Sequence, residues 1–162
     1  MQIALIQTPL GIAQITGDDI GITSISILDS HDARATKIPQ DLQEAVTQLN
    51  EYFLGERCVF TFRLNPTGTD FQKKVWKELR QITFGKTVSY LELAKKLGDV
   101  KAIRAVAAAN GKNPLWIVVP CHRVIGTDGS LTGYAGKLWR KKWLLEHENP
   151  SAQQLLFLPD SA

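Results

Sequence analysis

The stretch that decides the fold is "SYLELAKKLGDVKAIRAVAAANG", residues 89–111. Ser89 is a favourable N-cap for a short helix that ends near Gly98, and a second helix follows until Gly111. Two short helices joined through a turn that contains glycine are typical of a helix-turn-helix. The sequence therefore predicts a mainly helical domain built around this motif.

The second helix of the pair carries few long side chains. Arg104 is the only long side chain in "AIRAVAAA". Alanine is the best helix former and also permits close packing inside a core. A smooth helix with one projecting arginine could equally press into a narrow groove, and the pattern alone does not decide between these explanations. The alanines concerned are Ala102, Ala105, Ala107, Ala108 and Ala109.

Towards the amino terminus the pattern changes from helical to mixed. Thr69 or Asp70 can cap a further helix, and Asn65-Pro66-Thr67-Gly68 is a plausible linker before it. Residues 2–28 alternate β-favouring stretches with turn signals, as in an antiparallel meander, and residues 39–56 have the apolar spacing of an amphipathic helix. "CVFTFRL", residues 58–64, reads as a further strand. The apolar positions expected to face the core of the two helices are Leu42, Val46, Leu49, Phe53, Phe71, Val75, Trp76 and Leu79.

Towards the carboxyl terminus, "LWIVV" at 115–119 reads as a buried strand that Pro120 ends, because proline has no N–H for a ladder. Cys121, His122 and Arg123 follow directly. A thiolate is the nucleophilic form of cysteine, and a neighbouring imidazole or guanidinium favours its formation. Adjacent residues on an extended chain point to opposite faces, so His122 would need a turn or a water to reach the sulfur. A structural cysteine remains an equal alternative at this stage.

Composition and charge restrict the class of protein. The chain has 162 residues, 44% of them hydrophobic, and two cysteines without a zinc-ligand pattern. No secretory signal or membrane span is recognisable, so we expect an intracellular, cytoplasmic protein with free thiols, and Cys58 should be a buried small hydrophobe. Residues 1–66 hold four Lys and Arg against eight Asp and Glu, whereas residues 67–150 hold fifteen against seven. This asymmetry suggests a polyanionic partner, nucleic acid first, although scattered solubilising lysines would produce the same sum.

Several separated motifs in the second half carry a specific resemblance. "PCHRV" is preceded by "ANGKNP" and followed by "GYAG" and "WLLEHE". In this order, over roughly residues 70–148, they resemble the O6-alkylguanine-DNA alkyltransferase family. The first 66 residues fit the variable first domain of that family by pattern only. The expected fold is therefore a two-part α+β chain, with a small antiparallel-sheet domain at 1–66, a mainly helical DNA-binding and alkyl-acceptor domain at 67–150, and a tail at 151–162 that packs back on the body.

The resemblance implies a direct-reversal repair activity and a role for each matching residue. Cys121 would accept the alkyl group irreversibly from O6 of guanine, and possible O4-alkylthymine repair stays open. His122 would act through a water as the base, Glu148 would orient His122, and Asn113 would hold the active-site turn. Tyr90 would supply a proton or hydrogen bond to the departing guanine. The base pocket would be lined by Val124, Tyr134, Ala135 and Gly136.

The resemblance also implies how DNA is bound. Arg104 would enter the duplex and fill the space of the flipped nucleotide, while the small residues let the helix approach the minor groove. The DNA-contacting set would be Lys101, Ala102, Arg104, Ala105, Ala108 and Ala109. The expected partner is double-stranded DNA carrying O6-alkylguanine, bound by a monomer without a cofactor, metal, membrane or obligate protein partner.

Two positions depart from the family pattern, and three rival interpretations compete with it. Ala107 and Lys137 stand where the family often has glycine; Lys137 leaves open which larger alkyl groups are accepted, while the small Ala135 favours a roomy pocket. The rivals are a Cys-His hydrolase, a DNA-binding regulator with a structural thiol, and a silent lesion-binding homologue. In that last class the acceptor cysteine is replaced.

The remaining histidines and tryptophans are not expected to take part in the chemistry. His31 is expected in a solvated loop, and His147 at the surface or behind the site. Trp76, Trp116, Trp139 and Trp143 are expected in packing roles.

Overall fold

The structure is a computed structural model that describes residues 1–29 and 37–150. His31 and the tail at 151–162 therefore lie outside the described residues, and the expectations about them stay predictions. The chain forms two compact units. The first comprises Met1–Thr67 together with Pro114–Trp116, and the second begins at Gly68 and resumes at Ile117.

The first unit is built on a three-stranded antiparallel sheet. Its strands β1 (Gln2–Thr8), β2 (Gly11–Gly17) and β3 (Ile22–Leu28) follow one another in the order β1-β2-β3. Alternate side chains from the strands enter the core, as expected for a sheet with one buried face. The predicted meander is confirmed. The core residues of the sheet include Ala4, Ile6, Ile12, Ile15, Ile25 and Ile27.

One helix covers this sheet. A 3₁₀ turn, Gln40–Leu42, leads into α1 (Gln43–Phe53), which contacts β1. Leu42, Val46 and Leu49 are buried as the spacing predicts. Tyr52 is fully buried, whereas Phe53 is only partly buried. The predicted helix is confirmed, but Tyr52 takes the core position that the pattern gave to Phe53.

The strand predicted at 58–64 does not form, so that prediction is wrong. Only Leu64 pairs, through an isolated bridge to Ile22. Instead of pairing with a strand, the segment is hydrogen-bonded to the side chain of Gln48. The Gln48 Oε1 accepts from the Thr61 N–H at 2.9 Å, and its Nε2 donates to Thr61 Oγ1 at 2.7 Å. Cys58 is exposed rather than buried, which also contradicts the prediction.

The second unit opens with helix α2 (Asp70–Leu79). Thr69 caps it, and its side chain and that of Gln72 form a reciprocal capping box. Val75, Trp76 and Leu79 are buried, and the Trp76 indole N–H donates to the carbonyl of Ala109 at 2.9 Å. Phe71 is 39% exposed, so its predicted core position is wrong.

The predicted helix pair forms next. Helix α3 (Tyr90–Lys96) starts at a capping box between Ser89 and Glu92. A 3₁₀ turn, Val100–Ala102, leads into α4 (Ile103–Gly111), and the two helices pack together. The short strand β4 (Val88–Ser89) pairs in parallel with β5 (Val124–Ile125). This pairing ties the start of α3 to the chain that follows Cys121.

The strand predicted at 115–119 is also absent. Leu115, Ile117, Val118 and Val119 are buried as expected, but Leu115 alone pairs, by an isolated bridge to Ile25. Ile117 has φ 74°, a left-handed conformation that a β-branched residue rarely adopts and that a ladder cannot contain. The segment is therefore a buried irregular turn.

The last element of the second unit is α5 (Leu138–Glu148). Its N-cap residue, Lys137, has φ 76° and ψ 147°, a region populated almost only by glycine. None of the helices in the described part of the chain is long and apolar enough to cross a membrane.

Candidate active site

Cys121, His122 and Arg123 form one turn of 3₁₀ helix, and all three are buried. The Arg123 N–H donates to the Pro120 carbonyl at 3.0 Å. The expectation that the cysteine lies at the end of a strand is wrong, because the preceding segment is irregular. A helical turn no longer sends neighbouring side chains to alternate faces, which removes the objection to cooperation between these residues.

The carboxylate of Glu148, the last residue of α5, receives both His122 and Arg123. The distance from His122 Nε2 to Oε2 is 2.7 Å. Arg123 binds with two nitrogens, Nε to Oε1 at 2.7 Å and Nη2 to Oε2 at 3.0 Å. Its third nitrogen, Nη1, donates to the Ile82 carbonyl at 2.7 Å. This fork geometry is the strong form of an arginine–carboxylate pair.

The protonation states in this cluster follow from its charges. Burial alone would raise the pKa of Glu148, but His122 and Arg123 outweigh it and hold that pKa far below the ordinary value. Burial lowers the pKa of His122, against the opposing effect of Glu148. Because Arg123 already supplies the counter-charge, we assign an ionised Glu148 and a neutral His122.

The neutral imidazole can then have only one tautomer. An ionised carboxylate accepts hydrogen bonds and donates none, so His122 Nε2 carries the proton that faces Glu148. The lone pair lies on Nδ1. That atom is buried and makes no hydrogen bond within residues 1–29 and 37–150. A basic nitrogen is therefore held in the interior without a partner in the described part of the chain.

The thiol of Cys121 is 4% exposed. Burial raises its pKa, while the Asn113 amide and the Lys141 ammonium oppose that rise. At neutral pH the resting group is thus a thiol that needs a base. Asn113 is buried and its Nδ2 donates to the Val119 carbonyl at 2.7 Å, two residues before the sulfur.

Lys141 is the most deeply buried charged side chain of the described residues, with no exposed surface. Its Nζ donates to the Val124 carbonyl at 2.6 Å and to the Thr132 carbonyl at 2.8 Å. Burial lowers its pKa to about 8. Sequence reasoning missed Lys141, and it considered the Arg123 guanidinium only as a neighbour of the thiol. Lys141 shares a helical stripe with the buried Leu144 and with Glu148, a spacing that could have revealed it.

Tyr90, at the start of α3, is half-buried and its hydroxyl lies 3.4 Å from the carbonyl oxygens of both Thr132 and Gly133. Burial and the nearby Cys121 raise its pKa, so the phenol keeps its proton. Asn110, which sequence reasoning also missed, is the third neighbour of this hydroxyl, at 3.5 Å.

The other residues predicted to line the base pocket differ in exposure. Val124 and Gly136 are buried, Tyr134 is half-buried and Ala135 is exposed. Burial, and to a smaller extent the nearby Cys121, raises the pKa of Tyr134 well above its ordinary value, so its phenol keeps its proton at neutral pH. In the described part of the chain no group of three or more His, Cys, Asp and Glu side chains could hold a metal ion.

The exposed face of α4 is smooth. Arg104, Ala105, Ala107 and Ala108 are exposed, as is Lys101 before the helix, and Ala102 is half-buried. Ala109 differs from the predicted DNA-contacting set, since it is only 3% exposed and its carbonyl accepts from Trp76. It lies on the packed face of the helix.

The aromatic residues near α5 divide between packing and the surface. Trp76 is buried, but Trp139 is 49% exposed, with the Arg140 guanidinium 4.8 Å from its ring centre. The expected packing role is therefore wrong for Trp139. His147 stacks on Trp143, with ring centres 4.8 Å apart.

Fold and site together define a class of protein: a helix-turn-helix protein with a buried thiol next to a histidine–glutamate pair. Comparison with known proteins gives the family. Residues 1–66 match the ribonuclease-like domain of 6-O-methylguanine DNA methyltransferase, and residues 70–150 match its DNA binding domain. The chain is 45% identical over 159 residues to a methylated-DNA–protein-cysteine methyltransferase of Mycobacterium bovis, covering 96% of each chain. It is 41% identical over 155 residues to one of Methanosarcina acetivorans, covering 91% of this chain and 98% of the relative.

Solved structures agree. The O6-methylguanine methyltransferase of Mycobacterium tuberculosis superposes with a TM-score of 0.82 at 43% identity, over 92% of this chain and 93% of that one. A crystal structure of the protein from the same organism in complex with DNA gives 0.83 at 42% identity, over 96% and 95%. The chain belongs to the O6-methylguanine DNA methyltransferase family. Its activity is that of a methylated-DNA–protein-cysteine methyltransferase, which repairs alkyl damage in DNA.

Proposed function

We propose that Cys121 is the acceptor of the alkyl group and that His122 Nδ1, acting through a water, is the base that activates it. The observation that carries this proposal is the His122–Glu148 contact of 2.7 Å, which leaves the basic Nδ1, on the residue that follows Cys121, buried and without a partner among the described residues. Glu148 and Arg123 hold the imidazole in that tautomer. The arrangement parallels a Cys-His-carboxylate triad.

The thiol proton passes through the water to His122 Nδ1, and the thiolate sulfur attacks the alkyl carbon on O6. An S–C bond forms as the C–O6 bond breaks, and its electron pair goes to the guanine. The guanine then takes a proton from Tyr90, whose phenol is protonated at neutral pH. The product is an uncharged thioether, which nothing in the site can hydrolyse, so each chain turns over once.

The pocket is formed by the chain on both sides of the cysteine. Asn113 fixes the turn that presents the sulfur through its bond to the Val119 carbonyl. Lys141 holds the carbonyls of Val124 and Thr132 together, and so supports one wall. Val124, Tyr134, Ala135 and Gly136 complete the lining in this proposal.

Alkyl groups larger than methyl test the shape of this pocket. Ala135 is small and exposed, which favours a roomy mouth, whereas the long, exposed side chain of Lys137 two residues later would narrow it. We expect the protein to remove an O6-benzyl group as well as O6-methyl from duplex oligonucleotides. Removal of O6-methyl alone would contradict the roomy pocket without affecting the proposed acceptor.

The proposed partner is double-stranded DNA carrying O6-alkylguanine, bound by a single copy of the chain through the minor groove. The exposed alanines of α4 permit close approach, and Arg104 fills the space that the extruded nucleotide leaves. Residues 67–150 hold fifteen Lys and Arg against seven Asp and Glu, so phosphate contacts should make binding strongly salt-dependent. We place the protein in the cytoplasm, because its acceptor has to remain a reduced thiol.

The variant Arg104→Ala tests this arrangement. Without the side chain that fills the duplex, transfer from a duplex should slow by about tenfold or more, since extruding a base costs a few kcal/mol. Transfer from the free base O6-benzylguanine needs no extrusion and should be unchanged. Arg80→Ala, at an exposed position beyond α2, is the matched control and should alter neither rate. Equal slowing with both substrates would contradict the role of Arg104.

The acceptor itself is tested by intact-protein mass spectrometry. The protein is mixed with a duplex that contains one O6-methylguanine, and the product is digested for peptide mapping. A gain of one methyl group in place of a proton, confined to the Cys121 peptide and saturating at one per chain, is expected. Bound lesion without a mass gain would favour a silent lesion binder. If the protein neither gained mass nor bound the lesion, a DNA-binding regulator with a structural thiol would be the remaining interpretation.

A further inference from the structure

Asn110 is a buried polar side chain that the mechanism above does not use. It lies on α4, it is 3% exposed, and its Oδ1 is buried without a hydrogen-bond partner among the described residues. Leaving a buried amide oxygen unsatisfied costs stability, so native proteins rarely do it without a compensating reason. An apolar side chain would serve packing better at this position.

The neighbours of Asn110 fix the direction of its one hydrogen bond. Its amide lies 3.5 Å from the hydroxyl of Tyr90. That hydroxyl also lies 3.4 Å from the carbonyl oxygens of Thr132 and Gly133, which can only accept. A phenol has a single proton, and the carbonyls claim it. The amide nitrogen of Asn110 must therefore donate to the phenol oxygen, and this orientation is the one that leaves Oδ1 without a partner.

The three contacts of the hydroxyl are all long. At 3.4 to 3.5 Å they lie at the limit of hydrogen bonding, so the hydroxyl is oriented without being tightly bound. Catalytic hydrogen bonds are often long before substrate binds and shorten in the complex. Gly133 contributes no side chain beside the hydroxyl; a Cβ built there would lie 3.4 Å from it.

We propose that Asn110 is a positioning residue for alkyl transfer: its amide occupies the lone pair of the Tyr90 hydroxyl and commits the phenol proton to the side away from α4. At rest that proton faces the carbonyls of Thr132 and Gly133. With the flipped base in place, it faces the departing guanine. The inference rests on the proposed role of Tyr90. In this proposal α4 has two roles: its exposed face contacts DNA, and its buried face carries Asn110, which positions the proton donor Tyr90.

A double-mutant cycle on the full chain tests the proposal. The single-turnover rate constant for methyl transfer from an O6-methylguanine duplex is measured for wild type, Asn110→Leu, Tyr90→Phe and the double variant. We expect Asn110→Leu to slow transfer by about fivefold to tenfold, the size of one hydrogen bond. In the Tyr90→Phe background, where there is no hydroxyl to orient, the same change should have no effect. Such coupling is the signature of a residue that acts through another.

Matched variants separate positioning from packing. Val106→Ala removes a fully buried neighbour on the same helix, and its effect should add to that of Tyr90→Phe. Asn110→Ala repeats the test with a smaller side chain in case leucine prevents folding. Melting temperature and DNA affinity are recorded for each variant, and the affinity should stay within about twofold of wild type, since none of these changes removes a proposed DNA contact.

The outcomes distinguish this inference from the function on which it rests. If Tyr90→Phe transfers at the wild-type rate, the role of Tyr90 is wrong and the inference is overturned with it. If Tyr90→Phe is slow but Asn110→Leu slows it further by the same factor, only the role of Asn110 is overturned. The same holds if Asn110→Leu alone transfers at the wild-type rate.

Discussion

The two units of the chain are stabilised in different ways. In the first, Gln48 is the one buried polar side chain of the described residues, and the rest of the core is apolar. The second unit buries a set of polar and charged groups: Ser89, Asn110, Asn113, His122, Arg123, Ser130, Arg140, Lys141 and Glu148. Burying such groups is costly unless each is paired. The core of the first unit is therefore held mainly by apolar burial, whereas the core of the second unit also depends on the pairing of its buried polar groups.

The two cysteines express this difference most directly. Cys58 is exposed in the first unit and Cys121 is buried in the second. Cys121→Ser should abolish methyl transfer, because an alcohol of much higher pKa cannot replace the thiolate, while binding to the lesion duplex persists. Cys58→Ser should transfer at the wild-type rate and to full stoichiometry. A fluorescence or radiolabel transfer assay with both variants checks this. Residual transfer by Cys121→Ser would show that Cys121 is not the sole acceptor.

The ion pairs of the two units offer a second contrast. Glu148 pairs with Arg123 in the interior, whereas Glu51 pairs with Arg57 at 3.2 Å near the surface. Glu148→Gln keeps the shape but leaves a buried guanidinium uncompensated, and should cost about 3–5 kcal/mol. Glu51→Gln should cost about 0–1 kcal/mol. Urea unfolding measures the loss in free energy of unfolding for each variant. Equal losses would show that the buried ion pair contributes no more to stability than the surface pair.

Acid should destabilise the protein through the second unit. The pKa of His122 is lowered from its ordinary value of 6.5 in the folded chain, so the unfolded chain takes up that proton first as the pH falls. Stability is then full above pH 6.5 and declines below it. The pKa of Glu148 is also lowered, from 4.5, and adds a second loss of the same sign below that pH. A tenfold difference in proton affinity between the folded and unfolded chains corresponds to about 1.4 kcal/mol of stability.

Melting temperatures between pH 8 and pH 4 check this acid dependence. We expect a plateau down to about pH 6.5 and a fall below it. In His122→Gln the decline should begin only near the ordinary range of carboxylates. A flat profile across pH 6.5 in the wild type would contradict the assignment of a neutral, buried His122.

The smallest predicted effect concerns the backbone at the start of α5. Lys137 holds φ 76° and ψ 147°, which costs a non-glycine residue about 1–3 kcal/mol. Lys137→Gly should relieve most of this and stabilise the protein by about 1 kcal/mol after the entropy that glycine adds to the unfolded chain. Lys142→Gly, inside α5, should destabilise by about 1 kcal/mol. Thermal unfolding compares them, and destabilisation by both changes would exclude strain at Lys137.

Local signals in the sequence were enough to predict most of the regular structure. Caps at Thr69 and Ser89 and the β-favouring repeats depend on neighbours a few residues away, and these elements are confirmed. The two wrong strands failed for a different reason. At 58–64 the Gln48 side chain binds the backbone of Thr61, and at 115–119 Ile117 turns left-handed while Asn113 holds the Val119 carbonyl. Both depend on side chains that a local apolar pattern does not include.

The candidate site was predictable where a motif fixes it and not where charges meet in space. "PCHRV" and "WLLEHE" indicate Cys121, His122 and Glu148, and the roles assigned to them stay predictions. The pairing of Arg123 with Glu148 was overlooked because it requires a 3₁₀ turn in place of an extended chain. Lys141 and Asn110 were overlooked because a lysine or asparagine in a helix is usually solvated, and only burial makes either one notable.

The segment Pro114–Trp116 limits how the chain can be divided. These three residues belong to the first unit although they sit between Asn113 and Ile117 of the second, and Leu115 is fully buried at its bridge to Ile25. A single cut near residue 67 therefore cannot yield two complete pieces. A truncated chain that begins at Gly68 would lose the cover of Leu115 a few residues before the cysteine, so minimal versions for engineering need that segment redesigned rather than simply trimmed.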